Sequence, residues 1–110
     1  MFRDLGDAAF KFETTPMTLN SHNWGVDPVK FITDDGLASM YKLTSISYEP
    51  EAEHRPFAAT VEGKKYPFFG TQFHPEKTTT MFQDNSGINH SWESITMNRY
   101  FGDKFVSLAR

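Results

Sequence analysis

Residues 66–77 read Tyr-Pro-Phe-Phe-Gly-Thr-Gln-Phe-His-Pro-Glu-Lys, and the stretch changes abruptly from apolar to polar at His74. The apolar part is too short for a typical helix and rich in aromatic side chains. Residues 68–73 are therefore predicted to form a strand that is buried on both faces. Pro75 has no N–H to donate to a strand ladder, so regular pairing is expected to stop there.

Two polar side chains follow this predicted strand, and they lie two residues apart. In extended chain such residues project to the same side, so His74 and Glu76 are expected to converge. An imidazole beside a carboxylate is the arrangement of a general base, because the carboxylate fixes the tautomer and stabilises the imidazolium. A histidine at a strand end is also a common turn residue, so the spacing leaves both roles open.

The whole of residues 66–77 resembles the catalytic-histidine segment of class I glutamine-amidotransferase-like enzymes, and among them it is most similar to the gamma-glutamyl hydrolases. The Gln-Phe-His-Pro-Glu core is typical of the wider superfamily, and the longer match that includes Lys77 is typical of the hydrolases. The resemblance implies an α/β fold, namely a C-terminal fragment of a three-layer domain. Residues 1–110 would then be its C-terminal part, with the N-terminal nucleophile half missing.

The activity that the resemblance implies is hydrolysis of the γ-glutamyl bonds of folate poly-γ-glutamates through a cysteine nucleophile. His74 would serve as the proton shuttle, Glu76 would orient it, and Lys77 would contact the carboxylates of the substrate. The sequence contains no cysteine and no Gly-x-Ser-x-Gly segment, so the chain is expected to be inactive by itself. The expected partners are the folate polyglutamate substrate, the missing N-terminal half and, for the full-length protein, a second copy in a homodimer.

Three further histidines are weighed in the same way. His22 precedes Trp24 in a polar segment that reads as a surface loop anchored by the tryptophan, but gamma-glutamyl hydrolases have a similar segment near the substrate. His90 lies in a segment that also resembles the family, where it is either a second substrate contact or a residue of a helix-capping loop. His54 lies among charged residues and is predicted to be solvated surface.

Length, charge and composition bound the other possibilities. A chain of 110 residues forms at most one domain, and a net charge of −3 without a basic run favours neither nucleic acid nor an anionic membrane. The absence of cysteine excludes a disulfide framework and a thiolate metal site, and we expect neither a metal nor a cofactor. The family usually works in lysosomes, vacuoles or outside the cell, which is the localisation that the resemblance implies.

Two alternative functions stay open. The chain could be the C-terminal half of another class I glutamine amidotransferase, because the His-Pro-Glu core is shared. It could also be a non-catalytic remnant that binds a glutamyl ligand or a partner, which the missing cysteine favours.

The remaining pattern predicts helices and strands in alternation. Residues 1–12 have helical spacing, Asp27 and Pro28 open a short helix through Ile32, and residues 34–36 read as a turn. Residues 40–48 favour a strand whose alternation slips phase, and residues 57–62 favour a second strand, which forms a hairpin with 68–73. Because half of the parent sheet would be absent, the chain is expected to expose an apolar edge.

The end of the chain is predicted to be a helix. Residues 78–91 read as irregular, and Ser91 or Asn89 can cap a final helix over Trp92–Ala109 with Glu93 in its first turn. An apolar stripe along this helix is expected to pack on the sheet, and it consists of Met97, Phe101, Phe105 and Leu108.

Overall fold

The computed structural model describes residues 1–50 and 53–110, which form helices and a small antiparallel sheet. In chain order the elements are a 3-10 helix at Arg3–Phe10, α1 at Lys11–Thr14, α2 at Pro28–Thr33, α3 at Asp35–Met40, β1 at Tyr41–Tyr48, β2 at Pro56–Gly63, β3 at Phe69–Thr71, α4 at Lys77–Thr80 and α5 at Trp92–Ala109. The contacts divide the chain into two compact units. The first unit comprises residues 22–72 with Met1, and the second comprises residues 2–21 and 73–110.

The first unit is built around a three-stranded sheet in the order β1-β2-β3, with both neighbouring pairs antiparallel. The central strand β2 is buried at four consecutive positions, residues 57–60, so both of its faces are covered there. The predicted hairpin is confirmed, since Thr60 pairs with Thr71 and Glu62 with Phe69. This pairing brings the chain to the start of the segment that contains His74.

The phase slip in residues 40–48 is a β-bulge. The register of β1 against β2 shifts on either side of Ser45. The hydroxyl groups of Thr44 and Ser45 both bond the Thr60 hydroxyl, at 2.7 and 2.6 Å. Two successive side chains of β1 thus point at one residue of β2, as a bulge requires.

Two short helices precede the sheet, and aspartates cap both of them. Asp27 accepts a hydrogen bond from the Lys30 N–H at 2.9 Å and Pro28 begins α2, as predicted. The turn predicted at residues 34–36 is wrong. Asp34 caps α3 instead by accepting from the Leu37 N–H at 2.8 Å, so the chain passes directly from one helix into the next.

The strand predicted at residues 68–73 is present but shorter, and the prediction that it is buried on both faces is wrong. β3 contains three residues, and the side chains of Phe68 and Phe69 are 59% and 40% exposed. Within the described sheet β3 pairs with β2 along one edge only, so it is an edge strand and its aromatic residues are not enclosed. Phe73 is buried, but it belongs to the second unit.

The second unit packs its core around the ring of Phe101. The rings of Phe2, Phe12 and Phe73 lie at centroid distances of 5.9, 5.6 and 5.3 Å from it. The helix predicted over residues 1–12 is a 3-10 helix followed by α1, interrupted at Gly6, which has φ of +52°.

The predicted apolar stripe of α5 is buried only in part. Met97 is buried, whereas the side chains of Phe105 and Leu108 are 69% and 45% exposed, so the prediction of a continuous core stripe is wrong. The helix begins as predicted, because the Ser91 hydroxyl accepts from the Ser94 N–H at 3.1 Å. No helix in the described ranges combines the length and apolar character that a membrane span requires.

Candidate functional site

The site is built on the backbone around His74, which directly follows the buried Phe73. The His74 N–H donates to the Leu19 carbonyl at 2.9 Å, and the two residues form an isolated antiparallel bridge. Pro75 cannot donate, so the ladder does not continue beyond it. This isolated bridge fixes the His74 backbone directly before the turn at residues 75–76.

The predicted convergence of His74 and Glu76 is present in the structure. The His74 Nδ1 atom lies 2.9 Å from Glu76 Oε1, and the two side chains are 37% and 58% exposed. Because an ionised carboxylate only accepts, Nδ1 carries the proton, and the basic lone pair of the neutral ring is on Nε2. The pair therefore has the tautomer that a general base requires.

A tight helical turn holds the two residues in place. The predicted irregular stretch begins with the short helix α4, in which the threonine hydroxyls bond to preceding carbonyl groups. The Thr78 hydroxyl donates to the Pro75 carbonyl at 3.1 Å, and the Thr80 hydroxyl donates to the Glu76 carbonyl at 2.9 Å. Thr78 is fully buried, so this turn is anchored in the second unit.

Several influences act on the Glu76 carboxylate, and they have opposite signs. Partial burial raises the pKa of Glu76. Its own backbone N–H, the hydrogen bond with His74 and the positive charges of His74 and Lys77 lower it, and the net result is a pKa below the ordinary value. Glu76 is consequently ionised at neutral pH and available to stabilise an imidazolium.

The other three predicted site residues lie in different surroundings. Lys77 is the first residue of α4 and is half-buried beside the pair. The His90 Nε2 atom lies 2.8 Å from the Met81 carbonyl oxygen, and its ring stacks on Phe82 at 4.7 Å. These observations do not test the predicted substrate contacts, which stay predictions.

His22 belongs to the first unit, whereas His74, Glu76, Lys77 and His90 belong to the second. Its Nδ1 atom is 3.0 Å from the Trp24 carbonyl oxygen, and its ring meets the Phe57 ring edge-on at 5.0 Å. Trp24 is 87% exposed, so the prediction that its side chain anchors the loop is wrong. His54 is exposed, as predicted, with Nδ1 at 3.1 Å from the Glu49 carbonyl oxygen.

The described residues contain no group of three or more histidine, aspartate or glutamate side chains that could hold a metal ion. The 2.9 Å contact between His74 Nδ1 and Glu76 Oε1 allows the pair to transfer protons, with His74 as the proton carrier and Glu76 as the group that orients it.

The sequence did not indicate the residues that fix the backbone beside His74. The Leu19 carbonyl receives the His74 N–H, and the Met17 carbonyl two residues earlier is bound by Ser94 and Asn98 of α5. The sequence signal for these two residues is their spacing: Ser94 and Asn98 are polar, lie four positions apart in the predicted final helix and are close to the apolar Met97.

Comparison with known proteins identifies the class. The chain matches the family Glutamine amidotransferase class-I over residues 4–92 and therefore belongs to it. The family and the mixed α/β fold class that the resemblance implied are confirmed.

Similar proteins within this class include gamma-glutamyl hydrolases. The Homo sapiens enzyme is 30% identical over 95 residues, which are 86% of this chain and 29% of the relative. The Bos taurus enzyme is 26% identical over 111 residues, which are 100% of this chain and 34% of the relative. Gamma-glutamyl hydrolase 1 of Arabidopsis thaliana is 28% identical over 100 residues, which are 91% of this chain and 28% of the relative. The chain spans about a third of the length of these relatives.

Proposed function

We propose that this chain supplies the histidine–carboxylate half of an active site that hydrolyses the γ-glutamyl bonds of folate poly-γ-glutamates by a Cys-His mechanism. The observation that carries the proposal is the 2.9 Å contact between His74 Nδ1 and Glu76 Oε1. It lies within a stretch that resembles the gamma-glutamyl hydrolases, and proteins of that name are the relatives of the chain.

The geometry of the pair supports a defined set of proton transfers. His74 Nε2 accepts the proton of a thiol, and the thiolate attacks the γ-carbonyl carbon of the substrate. The imidazolium then protonates the departing amine, leaving a thioester. Next, His74 removes a proton from water, and the resulting hydroxide cleaves the thioester and regenerates the thiol. The negative charge of Glu76 stabilises the imidazolium in both steps.

The thiol must come from outside these residues, because the 110-residue sequence contains no cysteine. We therefore propose that the nucleophile belongs to an N-terminal half of the same domain and that the present chain is inactive without it. By similarity to the family, the complete protein would act in lysosomes, vacuoles or outside the cell, possess no cofactor and be able to form a homodimer.

The proposed substrate carries several carboxylates, and three side chains are proposed to contact it. Lys77 offers a positive charge directly beside the catalytic pair. His22 and His90 are proposed as additional contacts on the basis of the family resemblance.

The test is pteroyl-polyglutamate cleavage by a protein that contains these residues together with the thiol-bearing half. His74→Ala is expected to lower kcat by about 10³-fold or more, and Glu76→Gln by about 10²-fold or more, because the members of such a set act as a unit. His54→Ala is the matched control, since His54 is exposed and belongs to the first unit. Full activity of His74→Ala would overturn the proposal.

A second function is favoured by the family match at residues 4–92, which is to class-I glutamine amidotransferases in general. In that case the same pair would serve the hydrolysis of glutamine. Glutamine hydrolysis that exceeds pteroyl-polyglutamate hydrolysis in the same preparation would favour this alternative. Absence of both activities, with the thiol present, would favour a remnant that binds a glutamyl ligand or a partner without cleaving it.

A further inference from the structure

A carbonyl group in the core of the second unit is bound by two buried side chains of α5. The Met17 carbonyl accepts a hydrogen bond from the Ser94 hydroxyl at 3.0 Å and another from Asn98 Nδ2 at 2.9 Å. Ser94, Asn98 and Met17 are at most 2% exposed. Both acceptor positions of this carbonyl are therefore occupied, and the backbone at residue 17 is fixed to the helix.

The segment held in this way is the one that contacts the proposed catalytic histidine. Two residues beyond Met17, the Leu19 carbonyl accepts the His74 N–H at 2.9 Å. Only Thr18 separates Met17 from Leu19 in the chain, so displacement of Met17 is expected to be transmitted to Leu19 and to the His74 backbone. α5 is thus connected to His74 through two carbonyl groups of a single short segment.

The orientation of the Asn98 amide is fixed by its partners. Nδ2 donates to the Met17 carbonyl and also to the Ser94 carbonyl, both at 2.9 Å, and carbonyl oxygens cannot donate in return. Oδ1 is buried and contacts no hydrogen-bond donor in the described part of the chain. A buried amide with one unpaired atom lowers the stability of the fold, because that atom gives up its hydrogen bond to water on folding. An apolar side chain of similar size would not have this cost.

We propose that Ser94 and Asn98 are positioning residues for His74: they hold the residue 17–19 segment, which in turn sets where the His74 imidazole lies. The inference rests on the proposed function, since it assigns a role to the backbone that presents the proposed proton carrier. Ser94 and Asn98 both bond the Met17 carbonyl, and their effect on His74 passes through Met17 and Leu19. A small displacement of the His74 imidazole from the group whose proton it accepts slows proton transfer and leaves substrate binding unchanged.

Two measurements on the same variants test the proposal, in the protein that contains these residues together with the thiol-bearing half. Ser94→Ala removes one of the two hydrogen bonds to Met17, Ser94→Thr retains the hydroxyl, and Asn98→Asp replaces the donor by an acceptor of the same shape. Thr96→Ala is the matched control. It removes a hydroxyl from the same helix, and that hydroxyl bonds the Trp92 carbonyl within the helix at 2.8 Å.

The first measurement is amide hydrogen exchange at His74, compared with Ile95, whose N–H bonds to the Ser91 carbonyl in the first turn of α5. Ser94→Ala is expected to raise exchange at His74 by about tenfold while Ile95 is unchanged, because local opening is selective. The second is steady-state cleavage of the substrate, in which kcat is expected to fall by about tenfold with KM within about twofold. Ser94→Thr, which keeps the hydroxyl, is expected to give wild-type exchange at His74 and wild-type kcat. Asn98→Asp is expected to raise the exchange and lower kcat by more than Ser94→Ala does.

Unchanged exchange at His74 in both Ser94→Ala and Asn98→Asp would overturn the positioning role. Equal increases at His74 and Ile95 would also overturn it, because they would report a general loss of stability. If His74→Ala retains activity while Ser94→Ala still raises exchange at His74, the proposed function fails and the backbone coupling stands. The two failures are therefore distinguishable.

Discussion

The Glu76 side chain is more than half exposed, yet its environment favours the ionised form. Burial raises the pKa of Glu76, and the sum of its backbone hydrogen bond, its bond with His74 and the nearby positive charges lowers it below the ordinary value of 4.5. Titration followed by carboxyl-carbon NMR is expected to give a midpoint below 4.5 in the wild-type chain. In His74→Ala the midpoint is expected to move upward. A wild-type midpoint at or above the ordinary value would contradict this account of the site.

The same shift makes stability depend on pH with a definite sign. Since the folded-state pKa of Glu76 lies below its unfolded value, the carboxylate stabilises the folded chain above pH 4.5, and this contribution is lost as the pH falls through the folded pKa. Glu76→Gln is therefore expected to lower the free energy of unfolding at pH 7 by at most about 1 kcal/mol, because the pair is largely solvated. The difference from wild type should vanish once the pH is well below the folded-state pKa of Glu76, where both states are protonated. A difference that grows on acidification would contradict the sign.

Two glycines in regular elements are expected to respond to alanine in opposite directions. A Cβ at Gly63, the last residue of β2, would collide with the Tyr66 carbonyl oxygen, so Gly63→Ala is expected to cost about 1–3 kcal/mol. Gly102 lies inside α5 with nothing within 4 Å of an added Cβ. Gly102→Ala is expected to stabilise the chain by about 1 kcal/mol, because alanine is the better helix former. Urea unfolding of both variants measures the two changes. A Gly63→Ala variant that is as stable as wild type would contradict the close approach at Gly63, and a destabilised Gly102→Ala variant would contradict the open surroundings of Gly102.

The elements that sequence reasoning predicted correctly are those with local causes. The Asp27 and Ser91 caps depend on residues three positions apart, and the phase slip in β1 is visible in the alternation of its own residues. At Asp34 the sequence predicts a turn where the structure has a helix cap, because capping and turn formation use the same aspartate side chain. The convergence of His74 and Glu76 was predicted, but the geometry assumed for it is wrong, because Glu76 lies in a turn with αR backbone and not in extended chain.

The features that could not be predicted depend on residues far apart in the sequence. Exposure of Phe69 follows from the position of β3 at the edge of the sheet, which apolar composition does not reveal. The bonds from Ser94 and Asn98 to Met17 join residues 77 and 81 positions apart, so no spacing rule indicates them. Exposure of Phe105 likewise depends on what packs near the end of α5 and not on its helical spacing.

At the scale of the whole molecule, the first unit presents apolar side chains beside an edge strand. Tyr66 and Phe68 are 66% and 59% exposed, Phe69 is 40% exposed, and β3 has one strand partner in the described sheet. An exposed edge with aromatic side chains is a template for pairing with another chain. The 110-residue chain is therefore expected to self-associate through β3.

Phe69→Lys tests this expectation by placing a charge on the strand that would pair. Sedimentation velocity at a series of concentrations up to about 100 µM is expected to show association of the wild-type chain and a shift toward monomer in the variant. Phe105→Lys is the matched control, because Phe105 is 69% exposed and lies on a helix with no strand edge to pair. If association depends on the edge, only Phe69→Lys disperses it. A wild-type chain that stays monomeric with a cooperative melt would show that the edge is not available for pairing, and equal dispersal by both lysines would assign the association to general hydrophobicity.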